Sequence, residues 1–205
     1  MQRLTTAILI FGLLLFWTTG AVFSQEKEAL QSIQQAEKLV KAKQYSEAVQ
    51  QLQMAIHNLS ILTTNDLKTF LPEPLPGWKA DAPDASSPQA AGMGIVASGI
   101  ASRHYYQGNK SVDIEIAVNS PLVASLKALV GNPLLLTMSG AGQIIKIQGY
   151  KAVLKTESQN NHVELNILPG TSIAVSIKGD GFSDADILKK YASRIDLKKL
   201  VKRFE

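Results

Sequence analysis

Cysteine is absent from the 205 residues, which excludes disulfides, thiolate metal sites, thiol redox chemistry and lipid attachment through a cysteine. A chain of this length without crosslinks must be held together by a real apolar core. Histidine is scarce as well. His57, His104 and His162 are the only three, and no two of them stand in the i, i+4 relation of a zinc-binding helix. Charged residues make up 19% of the chain, with a formal net charge of +4. That charge is too weak and too dispersed for nucleic-acid binding, which needs a concentrated basic face. No Gly-x-Ser-x-Gly elbow and no phosphate loop occurs, and Ser139, in Ser-Gly-Ala-Gly, reads as part of a hairpin turn. We therefore assign no catalytic, cofactor-binding or metal-ligating residue, and expect no cofactor.

Long apolar runs are also missing. The one apolar segment of note, Ala7 to Trp17, is too short for the roughly 20 residues that cross a bilayer. It follows the cationic Arg3 and precedes a polar, small-residue stretch from Thr18 to Ser24, the three-part pattern of a cleaved secretory signal. Residues 1–24 are read as that signal, with Val22 and Ser24 before the cut, or Thr19 and Ala21 for an earlier one. Retention as an uncleaved anchor is the competing reading, because counting on to Val22 lengthens the apolar stretch. The expected location is the periplasm or the outside of the cell.

A helical period begins after the signal. Leu30, Ile33, Ala36, Leu39 and Val40 recur at three- and four-residue steps, and after Gln44 and Tyr45 so do Ala48, Leu52, Ala55, Ile56 and Leu59. Residues 25–64 thus form two amphipathic helices. Small Ala36, Ala48 and Ala55 let the axes approach, and Tyr45 and Leu52 are expected to fill the gaps around them.

The stretch Ala36-Glu37-Lys38-Leu39, Gln44-Tyr45-Ser46-Glu47-Ala48, then Leu52 and Ala55, resembles a tetratricopeptide (TPR) repeat. The resemblance spans residues 26–63, with Ser32 and Gln35 where that family places bulky side chains. A TPR likeness implies a helical hairpin for protein contact. Solenoids need about three units to build a continuous core, so a peptide-binding groove is not implied by one. The hairpin packs either on its own domain or a copy of itself, or it serves another envelope protein.

From residue 65 to 92 prolines break all periodicity. Leu71-Pro72-Glu73-Pro74-Leu75-Pro76-Gly77-Trp78 cannot be helical, since each proline fixes its own backbone and pushes the preceding residue towards extended conformations. It reads as a polyproline staple that carries Trp78 into a core, in preference to a ligand for an aromatic groove. Asp81 to Gly92 reads as a loop.

Residues 93–205 read as an antiparallel α+β domain. Val112, Ile114, Ile116 and Val118 alternate with polar residues and pair with Ile100 to Gln107 through Gly108-Asn109-Lys110. Ser120 caps a helix that begins at Pro121 and leaves at Gly131, with Leu122, Leu126, Leu129 and Val130 as its stripe. Strands are expected at Leu134–Met138, Gln143–Gln148, Tyr150–Thr156, His162–Leu168 and Thr171–Lys178, with Pro169-Gly170 as the last turn. The inward sets Val163, Leu165, Ile167 and Ile173, Val175, Ile177 suit adjacent antiparallel strands. A helical region from Asp184 to Phe204, broken near Asp196, covers one face. The fold class is α+β, a TPR-like helical hairpin followed by an antiparallel sheet with covering helices.

This order of a Gly-Trp entry, strands, covering helix, meander and closing helix is similar to the PsbP-like fold, from Leu71 to Glu205. Its combination with Tyr105-Tyr106 and Asn119-Ser120-Pro121 also resembles exported bacterial proteins. Neither likeness carries a functional residue.

Three local patterns mimic sites. Gly92-Met93-Gly94-Ile95-Val96-Ala97 fits a dinucleotide fingerprint, with Asp113 downstream, but a Pro-Ala-Ser loop replaces the strand that the motif requires. Asp180, Asp184 and Asp186 suggest a calcium loop, but their spacing departs from the EF-hand; Ser183 as an N-cap, with the acids in a first helical turn, is the simpler account. Lys189, Lys190, Arg194, Lys198, Lys199, Lys202 and Arg203 make the closing helices basic and amphipathic, suited to an anionic membrane surface. A core-packed helix with a solvated basic face explains them better, because the sheet needs a cover. The sequence thus points to a non-catalytic exported accessory or binding protein, contacting a protein partner, a membrane surface or a small ligand. The alternative is an envelope hydrolase with an unrecognised active site.

Overall fold

The computed structural model describes residues 24–84, 98–132, 136 and 142–205. Most of the expected signal, the dinucleotide-like glycines and Ser139 therefore lie outside the described residues. So does the expected strand at Leu134–Met138, apart from Leu136, which is helical and buried. The chain divides into two compact units between Leu62 and Thr63.

In the first unit, α1 is helical over residues 24–41. Backbone bonds from Ala42 to Lys38, Lys43 to Val40 and Gln44 to Leu39 close it, with Lys43 at φ 61°. α2, Tyr45–Lys68, starts at once. Ala29, Ala36, Ala48 and Ala55 are buried, as a close-packed helical hairpin requires. Tyr45 and Leu52 do not fill gaps at this seam. They stay exposed, because alanines bring the axes too close for bulky side chains to fit between them. α2 also continues four residues past the expected end at residue 64. The reason is burial: Leu67 has no exposed surface, and its packing outweighs the poor helix propensity of Thr63, Thr64, Asn65 and Asp66.

The second unit is built on a seven-stranded antiparallel sheet. Its strands are β1 Lys79–Ala80, β2 Gly99–Gln107, β3 Lys110–Val118, β4 Gln143–Ile147, β5 Tyr150–Glu157, β6 His162–Leu168 and β7 Ile173–Asp180, in the order β1-β2-β3-β7-β6-β5-β4. β1 lies inside the stretch expected to be connector and forms an edge strand, pairing Lys79 with Tyr106. Gly108-Asn109 turns β2 into β3, and β6 and β7 pair Leu165 with Ile177 and Ile167 with Val175, so the inward sets match. α3, Pro121–Gly131, lies on one face against β3, β5, β6 and β7. Ser120 sits at its N-cap, yet its hydroxyl makes no capping bond.

The other face carries the main core. α4, Asp186–Arg194, and α5, Leu197–Phe204, bury Leu188, Tyr191, Leu197 and Leu200 over it. Asp196 breaks the two helices and caps α5 by accepting a bond from the Lys199 N–H at 2.8 Å. Ser183 is not the cap of α4. Ala185 holds that position, and the Asp184 carboxylate accepts from the Asp186 N–H at 2.9 Å. β7 packs closely at Gly179, where a Cβ would collide with the Phe182 ring.

The staple is clamped from both sides. The Pro72 carbonyl accepts from the Tyr105 hydroxyl at 2.7 Å and from Arg103 at 3.1 Å, and the Pro74 carbonyl accepts from Arg194 at 3.3 Å. Trp78 then meets Tyr191 and Phe182 edge-on, with ring centroids 5.8 Å and 6.4 Å away.

Candidate functional site

Successive residues turn about 100° round a helix, so every apolar stripe has a definable direction. On α2, Tyr45, Val49, Leu52, Ile56 and Leu59 follow steps of four, three, four and three, the spacing of a coiled-coil seam. On α1, Leu30, Ile33 and Val40 make a shorter stripe. Except for half-buried Ile56, all of these side chains are between 42% and 62% exposed. Each stripe lies roughly 60–70° past its helix's alanine seam in the sense of that helix's own rotation. Since the hairpin's helices are antiparallel, equal rotations carry both stripes to one side.

The hairpin therefore has two unlike faces. The opposite one holds a groove of about 430 Å³ lined by polar Glu28, Gln31, Gln35, Gln51 and Asn58, with Met54. Among the described residues, the charges along the stripes are exposed Glu26, one turn before Leu30, and Glu37 and Lys41, whose side chains pair at 2.5 Å. The Lys41 ammonium holds the Glu37 carboxyl below its ordinary range, through a hydrogen bond first and Coulomb attraction second. A face whose stripes are aliphatic and aromatic, with few charges beside them, suits contact with another apolar helical surface.

The second unit separates the residues that mimic sites. The Asp180 carboxylate pairs with His162 Nδ1 at 2.7 Å, Asp184 holds the backbone of Asp186, and Asp186 pairs with Lys189 at 3.0 Å. Among the described residues no group of three or more His, Asp or Glu side chains is placed to hold a metal ion. His104 pairs with Asp113 at 2.7 Å. His57 lies on α2, half-buried, with no partner for Nδ1. Of the basic cluster, Arg194 bonds the staple and Arg203 pairs with Asp66 at 2.6 Å. Lys199, Lys202 and Arg203 line a groove of about 440 Å³ with Asp66, Thr69 and Phe70.

One arrangement was not visible in the sequence. On the α3 side of the sheet, register aligns His104, Asp113, Lys178, Glu164 and Lys155 in one cross-strand row. A parallel row holds Ser102, Glu115, Ser176 and Asn166, in which the Ser176 hydroxyl and the Asn166 amide oxygen are buried without a partner. Alternation announced the polar side of each strand, but the pairing of β3 with β7 joins segments about sixty residues apart. The Tyr105 hydroxyl donates to Pro72 and the Tyr191 hydroxyl accepts from the Leu75 N–H, and burial raises the pKa of both phenols.

No family model matches the chain, and no curated protein matches it. Among solved structures, the crystal structure of the extracellular domain of PknH from Mycobacterium tuberculosis is similar over 62% of this chain and 86% of that chain. The identity is 12% and the TM-score 0.36, a likeness that carries no argument about fold or function. The TPR and PsbP-like resemblances thus rest on sequence pattern alone. Among the described residues, no helix is long and apolar enough to cross a membrane.

Proposed function

We propose that this protein is a non-catalytic accessory protein of the bacterial envelope, exported by cleavage near Ser24. It acts by docking the apolar face of its hairpin on a helical surface of another chain. The observation that carries this reading is the coexistence of a buried alanine seam with an exposed, seam-spaced stripe of bulky residues on the same helices. A hairpin that only needed to fold would turn its large side chains inward, since each buried Leu or Ile stabilises by about 1.5–3 kcal/mol. Keeping them outside is consistent with a surface completed by a partner. The three-part N-terminal segment supports export.

The absence of cysteine makes the test clean. Leu52→Cys on the apolar face and Gln51→Cys on the polar one are each labelled with a photo-crosslinker in the envelope fraction. Adducts from Leu52→Cys that are missing from Gln51→Cys are expected. Equal crosslinking from both positions, or none from either, would overturn the docking reading. Mass mapping of the native amino terminus checks export, and recovery of an intact Met1 would remove it.

A further inference from the structure

We infer that the chain docked on the apolar face is a second copy of this protein, closing two hairpins into a four-helix layer. This inference rests on the docking reading above and names its partner. Four observations converge on it.

The first is the single repeat. A repeat-type hairpin cannot bury its apolar face alone and is completed by a stacked neighbour. The described chain supplies one such hairpin, and its bulky residues are exposed. A second copy brings an identical one, so two hairpins supply each other's neighbour.

The second is area. The seven exposed side chains Leu30, Ile33, Val40, Tyr45, Val49, Leu52 and Leu59 present on the order of 700 Å², close to the roughly 800 Å² per partner of a standard stable interface. That is comparable with the largest apolar patches of monomers, about 300–600 Å², which are often functional.

The third is side-chain choice. With Val49 and Ile56 as a positions, the d positions are Tyr45, Leu52 and Leu59. Apolar residues repeating at a and d positions make a continuous seam that a second helical surface can fill. Leu52 lies at the middle of this stripe, so a two-fold axis near it brings the stripe against its own copy from end to end, as an isologous contact requires.

The fourth is charge. Besides the ion pair of Glu37 with Lys41 on the same helix, the described part of the apolar face carries Glu26 at the start of α1, and no block of one sign that self-association would bring against itself. Like charges brought together across a contact cost several kcal/mol. The face lacks such a block, so it tolerates its own image.

Sedimentation equilibrium decides the matter. The protein and its variants are expressed as the full precursor and purified, and mass is measured from about 1 to 200 μM. The unaltered protein is expected at twice its chain mass. Leu52→Glu and Tyr45→Lys, both at exposed sites, should weaken the dimer at least about 100-fold with unchanged far-ultraviolet circular dichroism. Gln51→Glu, on the polar face, should leave it dimeric. Two variants guard against loss of fold in one of them. A monomer throughout the range overturns the inference, and so does a dimer indifferent to both face variants. The photo-crosslinking separates the two levels. An adduct at twice the chain mass supports the second copy. An adduct of Leu52→Cys with a different chain, from a monomeric protein, keeps the docking reading and overturns the identity of the partner.

Discussion

Gln148 occupies a left-handed turn position, at φ 50°, beside Gly149 between β4 and β5. Its amide donates to the carbonyls of Ala192 at 2.9 Å and Ile195 at 2.8 Å. Both carbonyls lie at the C-terminal end of α4 and each also accepts one backbone N–H, from Ile195 at 3.3 Å and from Leu197 at 2.9 Å, so the amide supplies the second bond to each. Gln148→Ala should therefore lower stability by about 1–2 kcal/mol, read as a lower denaturant midpoint with an unchanged slope. An unchanged midpoint would mean that solvent replaces both bonds. Glu205 makes the second testable contact. Its carboxylate accepts from the backbone of Thr171 and from the Ser172 N–H at 2.7 Å. Burial pushes its pKa up, but the Ser172 and Thr171 N–H groups together hold it below the ordinary value. A lowered folded pKa means that the contribution is present above the unfolded value of about 4.3 and is lost as pH falls through the folded one. Glu205→Gln should lower the melting temperature slightly at pH 7, and the difference should vanish towards pH 3. A difference that persists at pH 3 would assign the effect to shape and not to charge. Gly170→Ala should act like the loss of Glu205, because a Cβ there collides with the Glu205 carboxylate.

At the scale of elements, periodic patterns proved readable where one face of a strand or helix must be buried. β6 and β7 alternate so strictly that their inward residues were legible, and Asp196, a residue suited to capping, marked the break between α4 and α5. The hairpin was harder. Both helices carry a small-residue stripe and a bulky stripe side by side, and periodicity reports that a helix is amphipathic without saying which stripe meets its neighbour. Reading Tyr45 and Leu52 as seam residues came from size, whereas the seam belongs to the alanines. The end of α2 differs for a related reason, since Thr63 to Asp66 have loop-like composition, whereas the burial of Leu67 and Thr64 and the Asp66–Arg203 pair hold this stretch in place. The exposed docking face could be found only after the seam was known. The two stripes make opposite predictions on substitution. Ala48→Glu should place a carboxylate in the seam at a cost of several kcal/mol, visible as lost helical ellipticity. Leu52→Glu should leave the ellipticity unchanged. Equal effects of the two would place Leu52 in the seam after all.

For the whole molecule, the division between Leu62 and Thr63 falls inside a continuous helix, so separability can be tested by where α2 is cut. Residues 63–68 belong to the second unit by their packing. Leu67 joins its main core, and the Ile100 N–H donates to the buried Thr64 hydroxyl at 3.2 Å. A fragment from Thr63 to Glu205, about 140 residues, is of a size at which apolar burial supports cooperative folding. It should unfold in one transition followed by the fluorescence of Trp78, whose ring is held among Tyr191 and Phe182. A fragment from Thr69 to Glu205 keeps every strand but loses Leu67, and should be less stable by about 3–5 kcal/mol, the range for removing a fully buried leucine. If both fragments unfold at the same midpoint, the last turns of α2 contribute nothing to the second unit. If neither shows a cooperative transition while the whole chain does, the sheet depends on the hairpin, and surface now assigned to docking serves the fold.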